Sequence, residues 1–308
     1  MKRNDILSRM NVDVPDSSHI RVIISSDVRN EADDPFAIAH QLLTPQFDIC
    51  GIIAAHFAKK HSGNTMEESY QELQKLLAAA DITDVPALRG CMEPLQSKTD
   101  APESEGTAFL IQEALRDDPR PLYVTCQGAL TDVAAALNRC PEIAKRITIV
   151  TTIGGPYPNG RMEFNLLQDI AAAQAVFDSE AEVWQIPQNV YAQVEVTLPE
   201  LACRVRPMGS LGKYLYHEIS DYNMATHYRE DDLRLGGNWC LGDQPVVWAL
   251  LSTWRRRLFH TEKAPIFQPD TTYLPNPAGK EIRVYDQVDV RMLMEDFYAK
   301  LQLAYGTL

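Results

Sequence analysis

Residues 20–38, IRVIISSDVRNEADDPFAI, constrain the fold of this chain more than any other stretch. A β-branched apolar run (Val22, Ile23, Ile24) ends in Ser25-Ser26-Asp27. Asp33 and Asp34 follow, then Pro35 and the apolar residues of a predicted helix. A buried strand that runs into a carboxylate-rich loop and then a helix start places acidic groups at the carboxyl edge of a sheet. That edge is where open α/β sheets bind ligands. Carboxylates crowded there repel one another unless a cation or a proton sits between them, and hard oxygen ligands suit calcium or magnesium. Ordinary capping is the other reading, with Asp33 or Asp34 at the helix N-cap and Pro35 at the first helical position.

The rest of the first half alternates in the same way. Strands are predicted over 20–25, 47–55, 85–88, 121–126 and 146–152, and helices over 34–44, 64–80, 106–116 and 130–138. A helix at 169–178 and a short strand at 182–186 follow. From about 198 onward the pattern turns helical and ends in a long segment at 290–303. Such alternation implies right-handed βαβ units, hence an α/β fold: a Rossmann-like open, mostly parallel sheet with helices on both faces and a helical C-terminal part. No G-x-G-x-x-G follows a strand, which disfavours a nicotinamide enzyme. Without a low-complexity linker or internal repeat, a single domain over residues 1–308 is expected. Residues 1–19 form an N-terminal arm, either an ordered strap or a tail. Residues 217–238, which end in Gly236-Gly237, read either as a mobile cap hinged at the glycines or as a surface helix and loop.

Composition narrows the function class. A formal charge of -13 with no basic run excludes nucleic acid as the main partner. The polar N-terminus does not read as a signal peptide, and no apolar stretch reaches transmembrane length. The cysteines (Cys50, Cys91, Cys126, Cys140, Cys203, Cys240) show no C-x-x-C pair, so zinc is not expected. A reducing cytoplasm is the expected compartment.

Several segments resemble the nucleoside hydrolase superfamily, the calcium-dependent N-ribohydrolases, in the order the family has them. The first strand and its acidic loop resemble the family's Asp-x-Asp-x-Gly-x-Asp-Asp fingerprint. RGCMEPL (89–95), QGALTDVAAAL (127–137), IVTTIGGPY (149–157), MEFNLLQDIAAAQAVF (162–177) and GDQPVV (242–247) resemble its later motifs. The match covers roughly residues 20–250. Ser25 stands where the fingerprint has its first aspartate, and two extra residues separate Asp27 from Asp33-Asp34. Gly242 stands where many members have a histidine, and residues 95–106 lack the family's loop histidine. A divergent branch is implied, with base preference the property most affected.

The resemblance implies a calcium ion held by Asp27, Asp34, Asp243 and the backbone carbonyl of Gln127, with water and two ribose hydroxyls completing the shell. It makes Asp27 the general base for a metal-bound water. Asp33 would accept from a ribose hydroxyl, or cap the helix. Glu163 and Asn165 flank Phe164 and would reach the sugar together if the segment is extended; the alternative is a turn Asn with a solvated Glu. Asn159, in a Pro-Asn-Gly turn, and Thr44, before Pro45, are weaker sugar-contact candidates. For the leaving base, His227, Tyr228 and Trp239 (with Tyr222) are the candidates for stacking or proton donation, against ordinary core packing; His56 and His61, after the second strand at the same edge of the sheet, are no better supported.

The expected function is therefore calcium-dependent hydrolysis of the N-glycosidic bond of a ribonucleoside or related riboside. The expected partner is that small molecule, and the resemblance implies a homodimer or homotetramer. Two rivals come from other classes: a non-catalytic ribose- or nucleoside-binding protein on the same fold, and a magnesium phosphohydrolase. The second usually wants Asp-x-Asp directly after the first strand, and Asp27-Val28-Arg29 lacks the second carboxylate.

Overall fold

The strand expected at 20–25 forms as β1 (Ile20–Ser26), and its alternation decides how the layers stack. Val22 and Ile24 enter the core on one face of the sheet and Ile23 the core on the other, the period-two signature of a strand buried on both sides. The computed structural model describes residues 1–226, 237–252 and 257–306.

Ahead of β1 lies α1 (Arg3–Arg9), and after it come α2 (Asp34–Leu42), β2 (Phe47–Ala54), α3 (Thr65–Ala79), β3 (Ala87–Arg89), α4 (Glu105–Leu115), β4 (Leu122–Gln127), α5 (Thr131–Arg139) and β5 (Ile147–Thr152). The middle of the chain adds α6 (Phe164–Gln168), α7 (Ile170–Asp178), β6 (Glu182–Ile186), α8 (Gln188–Tyr191), β7 (Glu195–Thr197), α9 (Leu198–Arg204) and α10 (Gly209–Thr226). The remainder is β8 (Asn238–Cys240), α11 (Pro245–Leu251), β9 (Phe259–Lys263), β10 (Ile266–Phe267), β11 (Tyr273–Leu274), β12 (Glu281–Tyr285) and α12 (Val290–Tyr305).

An eight-stranded sheet runs β3-β2-β1-β4-β5-β6-β12-β9. Every pairing is parallel except β12 with β9. Leucines of α3 and the buried sides of α2, α11 and α12 cover one face, and α4, α5 and α7 cover the other. The chain moves outward from β1 in both directions, so the strand order reverses between β1 and β4. A crevice opens there at the carboxyl ends, which is the topological switch point of an open α/β sheet.

Two expectations are revised. The region after 198 is not purely helical: β12 pairs with β6 and β9 pairs with β12, which extends the sheet by two strands. EIRVY buries only Ile282, Val284 and Tyr285, and a strand that short is held by partners distant in sequence. The arm is an ordered strap. Ile6 and Met10 are buried. The Arg3 guanidinium donates to the carbonyls of Leu42 at 2.7 Å and Thr44 at 2.8 Å, tying α1 to the amino edge of the sheet, where α2 turns toward β2. No helix among the described residues is long and apolar enough to cross a membrane.

Candidate active site

β1 and β4 deliver their last residues side by side, with Ser26 paired to Gln127. The chain then leaves β1 through Asp27, whose backbone N–H reaches the Gln127 carbonyl at a long 3.4 Å. Asn30 donates to the Asp27 carbonyl at 2.7 Å and closes the turn. The two additional residues of this loop are thus absorbed in a turn that brings Asn30 and Glu31 to the crevice before α2 starts. Gly128 is needed for close approach: a Cβ there would stand 2.7 Å from Asp27 Oδ1.

The crevice is a cavity of about 420 Å³ whose walls include Asp27, Asp33, Asp34, Glu163, Tyr191 and Asp243. A larger groove of about 810 Å³ runs along residues 89–105, but it does not contain the carboxylate cluster. Asp34 accepts from the Ser26 hydroxyl. Asp243, beyond the cap region, accepts from the Thr152 hydroxyl at the end of β5 at 2.8 Å. Oxygens of Asp33, Asp34 and Asp243 all lie within 4.8 Å of one another, close enough to share an ion. Asp27 stands outside that set, yet its Oδ2 is buried without a hydrogen-bond partner.

Burial and mutual repulsion hold all four aspartates well above the usual carboxylate range. Desolvation is the largest cause for each. Asp243 and Asp33 add to it at Asp27, Asp243 and Glu31 at Asp33, Asp27 and Asp33 at Asp34, and Asp34 at Asp243. Without positive charge this site holds protons; a divalent cation is the other way to stabilise it. Oxygen-only donors of irregular arrangement fit a hard cation.

The expected residues do not all meet here. Asp34, Asp243 and Asp27 converge, joined by Asp33. Asp33 does sit at the N-cap of α2, but its side chain makes no capping bond and faces the cavity. Glu163 and Asn165 both line the cavity, but the segment is not extended: Phe164 begins α6. Glu163 is the N-cap, buried rather than solvated, and accepts from Gly154 N at 2.7 Å, Leu166 N at 2.9 Å, Asn165 N at 3.1 Å and the Tyr191 hydroxyl at 2.8 Å. Asn165 Nδ2 donates to the Thr152 carbonyl at 2.8 Å.

Three expectations are corrected. Thr44 lies at the far end of α2, about 13 Å of helix away from Asp34. It is buried there between Arg3 and Lys300, which donates to its hydroxyl at 3.0 Å. Asn159 is an exposed turn residue whose carbonyl accepts from Tyr273 N at 2.7 Å. Trp239 is 5% exposed in the core, edge-on to Tyr222 at 5.3 Å, paired within β8 to Val196. His227 and Tyr228 lie outside the described residues. His56 is fully buried against Thr131, and His61 is exposed beside Glu68.

Sequence reasoning missed Ser26, Thr152 and Tyr191. The first two are strand-terminal hydroxyls, recognisable as residues aimed over the carboxyl edge. Tyr191 carries no local signal, because only the packing of α8 brings it to the cavity.

Taken together, the switch-point crevice and its carboxylates define an α/β enzyme with a candidate divalent-cation centre. A sequence model of the inosine-uridine preferring nucleoside hydrolase matches residues 22–294, and the chain belongs to that family. Its members are metal-dependent and hydrolyse the N-glycosidic bond of ribonucleosides, so this protein is an N-ribohydrolase. Among curated relatives, the pyrimidine-specific ribonucleoside hydrolase RihA of Escherichia coli O9:H4 is 26% identical over 224 residues, covering 64% of this chain and 70% of its own. The fold matches the purine-preferring ribonucleoside hydrolase from Gardnerella vaginalis with a TM-score of 0.76 at 22% identity, over 93% of this chain and 100% of that one. It matches the plant nucleoside hydrolase PpNRh1 with a TM-score of 0.70 at 20% identity, over 92% and 98%.

Proposed function

We propose that the protein hydrolyses a ribonucleoside, or a closely related riboside, with a calcium ion at the carboxylate cluster and Asp27 as general base. The observation that carries this reading is Asp27 Oδ2: a buried, unpartnered carboxylate oxygen beside three further aspartates. Burying it is costly unless something accepts its lone pairs. Asp34, Asp243, Asp27 and the Gln127 carbonyl are the proposed holders of the ion. When bound, such an ion supplies positive charge and Lewis acidity and orients the sugar's vicinal hydroxyls.

The chain's own residues do the rest. Asp27 takes the proton of the attacking water as positive charge develops on the ribose ring. Asp33, free of any capping role, accepts from a ribose hydroxyl. Asn165, whose Nδ2 is committed to Thr152, is left with its amide oxygen for the sugar. Glu163 fixes the loop between β5 and α6 through its backbone donors.

Cytoplasmic location and assembly as a homodimer or homotetramer are part of the proposal. The former is supported by the cysteines, all free; sedimentation velocity tests the latter.

The deciding experiment pairs metal analysis of the purified protein with a reducing-sugar assay on a panel of ribonucleosides, with and without chelator. One calcium per chain and chelator-sensitive ribose release are expected. A calcium-loaded protein that releases ribose from no member of the panel overturns the proposal.

A further inference from the structure

All of Glu163's acceptor capacity is spent. Oε2 receives Gly154 N and Leu166 N, while Oε1 receives Asn165 N and the Tyr191 hydroxyl. An ionised carboxylate offers about four acceptor sites, so this one has none left for a substrate. What faces the cavity from this corner is the phenol that Glu163 holds.

Tyr191 is fixed from three sides. Its hydroxyl donates to Glu163. Its ring packs over position 242, where a Cβ would come within 3.1 Å of Tyr191 Cδ2 and 3.3 Å of Asp33 Oδ2. Its carbonyl accepts from the Cys240 thiol at 3.6 Å. Gly242 and Tyr191 are complementary: the aromatic ring uses the space that a side chain at 242 would need. The ring is therefore a rigid wall of the cavity.

We infer that Tyr191 is a specificity-determining residue that recognises the 5′-hydroxyl of the riboside through its phenolic oxygen, with Glu163 as the positioning residue behind it. The inference rests on the riboside reading and deepens it. In that reading the ion and Asp33 take the two ring hydroxyls and Asp27 serves the anomeric carbon. The 5′-hydroxymethyl is then the polar arm that these three groups leave to the Glu163–Tyr191 corner. Because the phenol's proton is committed to Glu163, its oxygen can only accept, so the 5′ group must be a donor.

The test is binding, measured by calorimetry on the calcium-loaded protein with C-ribonucleosides, whose carbon–carbon glycosidic bond is not hydrolysed, so it does not depend on turnover. The probes are a ribonucleoside that binds, its 5′-deoxy analogue and its 5′-amino-5′-deoxy analogue, which is an ammonium donor near neutral pH. Wild type is expected to bind the 5′-deoxy analogue about tenfold more weakly, the effect of one lost buried hydrogen bond, and to retain the 5′-amino analogue. Tyr191→Phe, certified folded by its thermal melt, is expected to bind the parent and 5′-deoxy compounds equally. If Tyr191→Phe does not fold, the two wild-type comparisons still decide. Equal binding of parent and 5′-deoxy by wild type, or a tenfold preference kept in Tyr191→Phe, overturns the role of Tyr191 while leaving the hydrolase reading intact. Failure of wild type to bind any ribonucleoside removes both.

Discussion

In the proposed mechanism Asp27 is the residue on which the chemistry turns. Replacing it with Asn keeps the shape and removes the base. Asp27→Asn is expected to lower kcat by at least about a hundredfold, the usual worth of a general base. Its melting temperature should be unchanged or higher, because one of several mutually repelling buried carboxylates is gone. Ribose release and a thermal melt on the same preparation check this, and wild-type turnover would sink the mechanism. The neighbouring aspartates divide by role. Asp34→Asn is expected to weaken calcium binding more than tenfold in an equilibrium titration, whereas Asp33→Asn should raise KM with calcium affinity retained. Equal loss of calcium affinity in the two variants would make Asp33 a ligand, as its place in the tight set with Asp34 and Asp243 permits.

Elements meet through polar joints as well as through their apolar faces. The exit of β2 is tied to the starts of α5 and α7 by His56. Thr131 spends its hydroxyl proton on Asp169 at 2.8 Å, so the 2.7 Å contact between His56 Nε2 and Thr131 must be an N–H donated by histidine. His56 Nδ1 then accepts from Ala58 N at 3.3 Å, and a second ring proton would face that N–H. Burial, with help from Lys59, accordingly pushes the imidazole down to about 4. The folded protein therefore disfavours the charged form that the unfolded chain takes up readily. Stability from this joint is complete above the ordinary histidine range, near 6.5, and drains away as pH falls toward 4. The loss amounts to on the order of 3 kcal/mol. Urea unfolding at a series of pH values should show a shallower slope in this window for His56→Gln than for wild type. A second joint, of Lys300 and Asp296 on α12 with His40 on α2 and Gln244 beside Asp243, links the C-terminal helix to the site's support. His40 Nε2 lies 2.8 Å from Asp296 and Nδ1 lies 2.7 Å from Gln244.

At the scale of the whole molecule, an ion that binds only the folded chain stabilises it by mass action. Calcium at about a hundred times its Kd is expected to add roughly 2.7 kcal/mol to the unfolding free energy, read as a rise in melting temperature that chelator reverses. The rise should vanish in Asp34→Asn; a rise of equal size there would place the ion elsewhere. Protons compete for the same oxygens, since all four aspartates hold them more firmly than free carboxylates do. Calcium affinity is therefore expected to fall as pH is lowered from neutrality, in the same titration.

The parallel core and the acidic exit of its first strand are legible in the order of residues alone, because both are written in local patterns. β-branched runs such as Val22–Ile24 alternate with amphipathic helices, and Asp27, Asp33 and Asp34 follow the strand within a few positions. Motif order added Asp243, which no local pattern could connect to them. The rest came from packing between distant segments. It put β12 and β9 on the sheet, because short strands are stabilised by partners far away in the chain. It sent Thr44 to the opposite edge, because a helix of this length carries its last turn away from its first. It buried Trp239 and made Glu163 a helix cap that accepts four hydrogen bonds. It brought in Tyr191, Ser26 and Thr152, because which polar groups share a cavity depends on packing between elements, and periodicity along the chain carries no record of that.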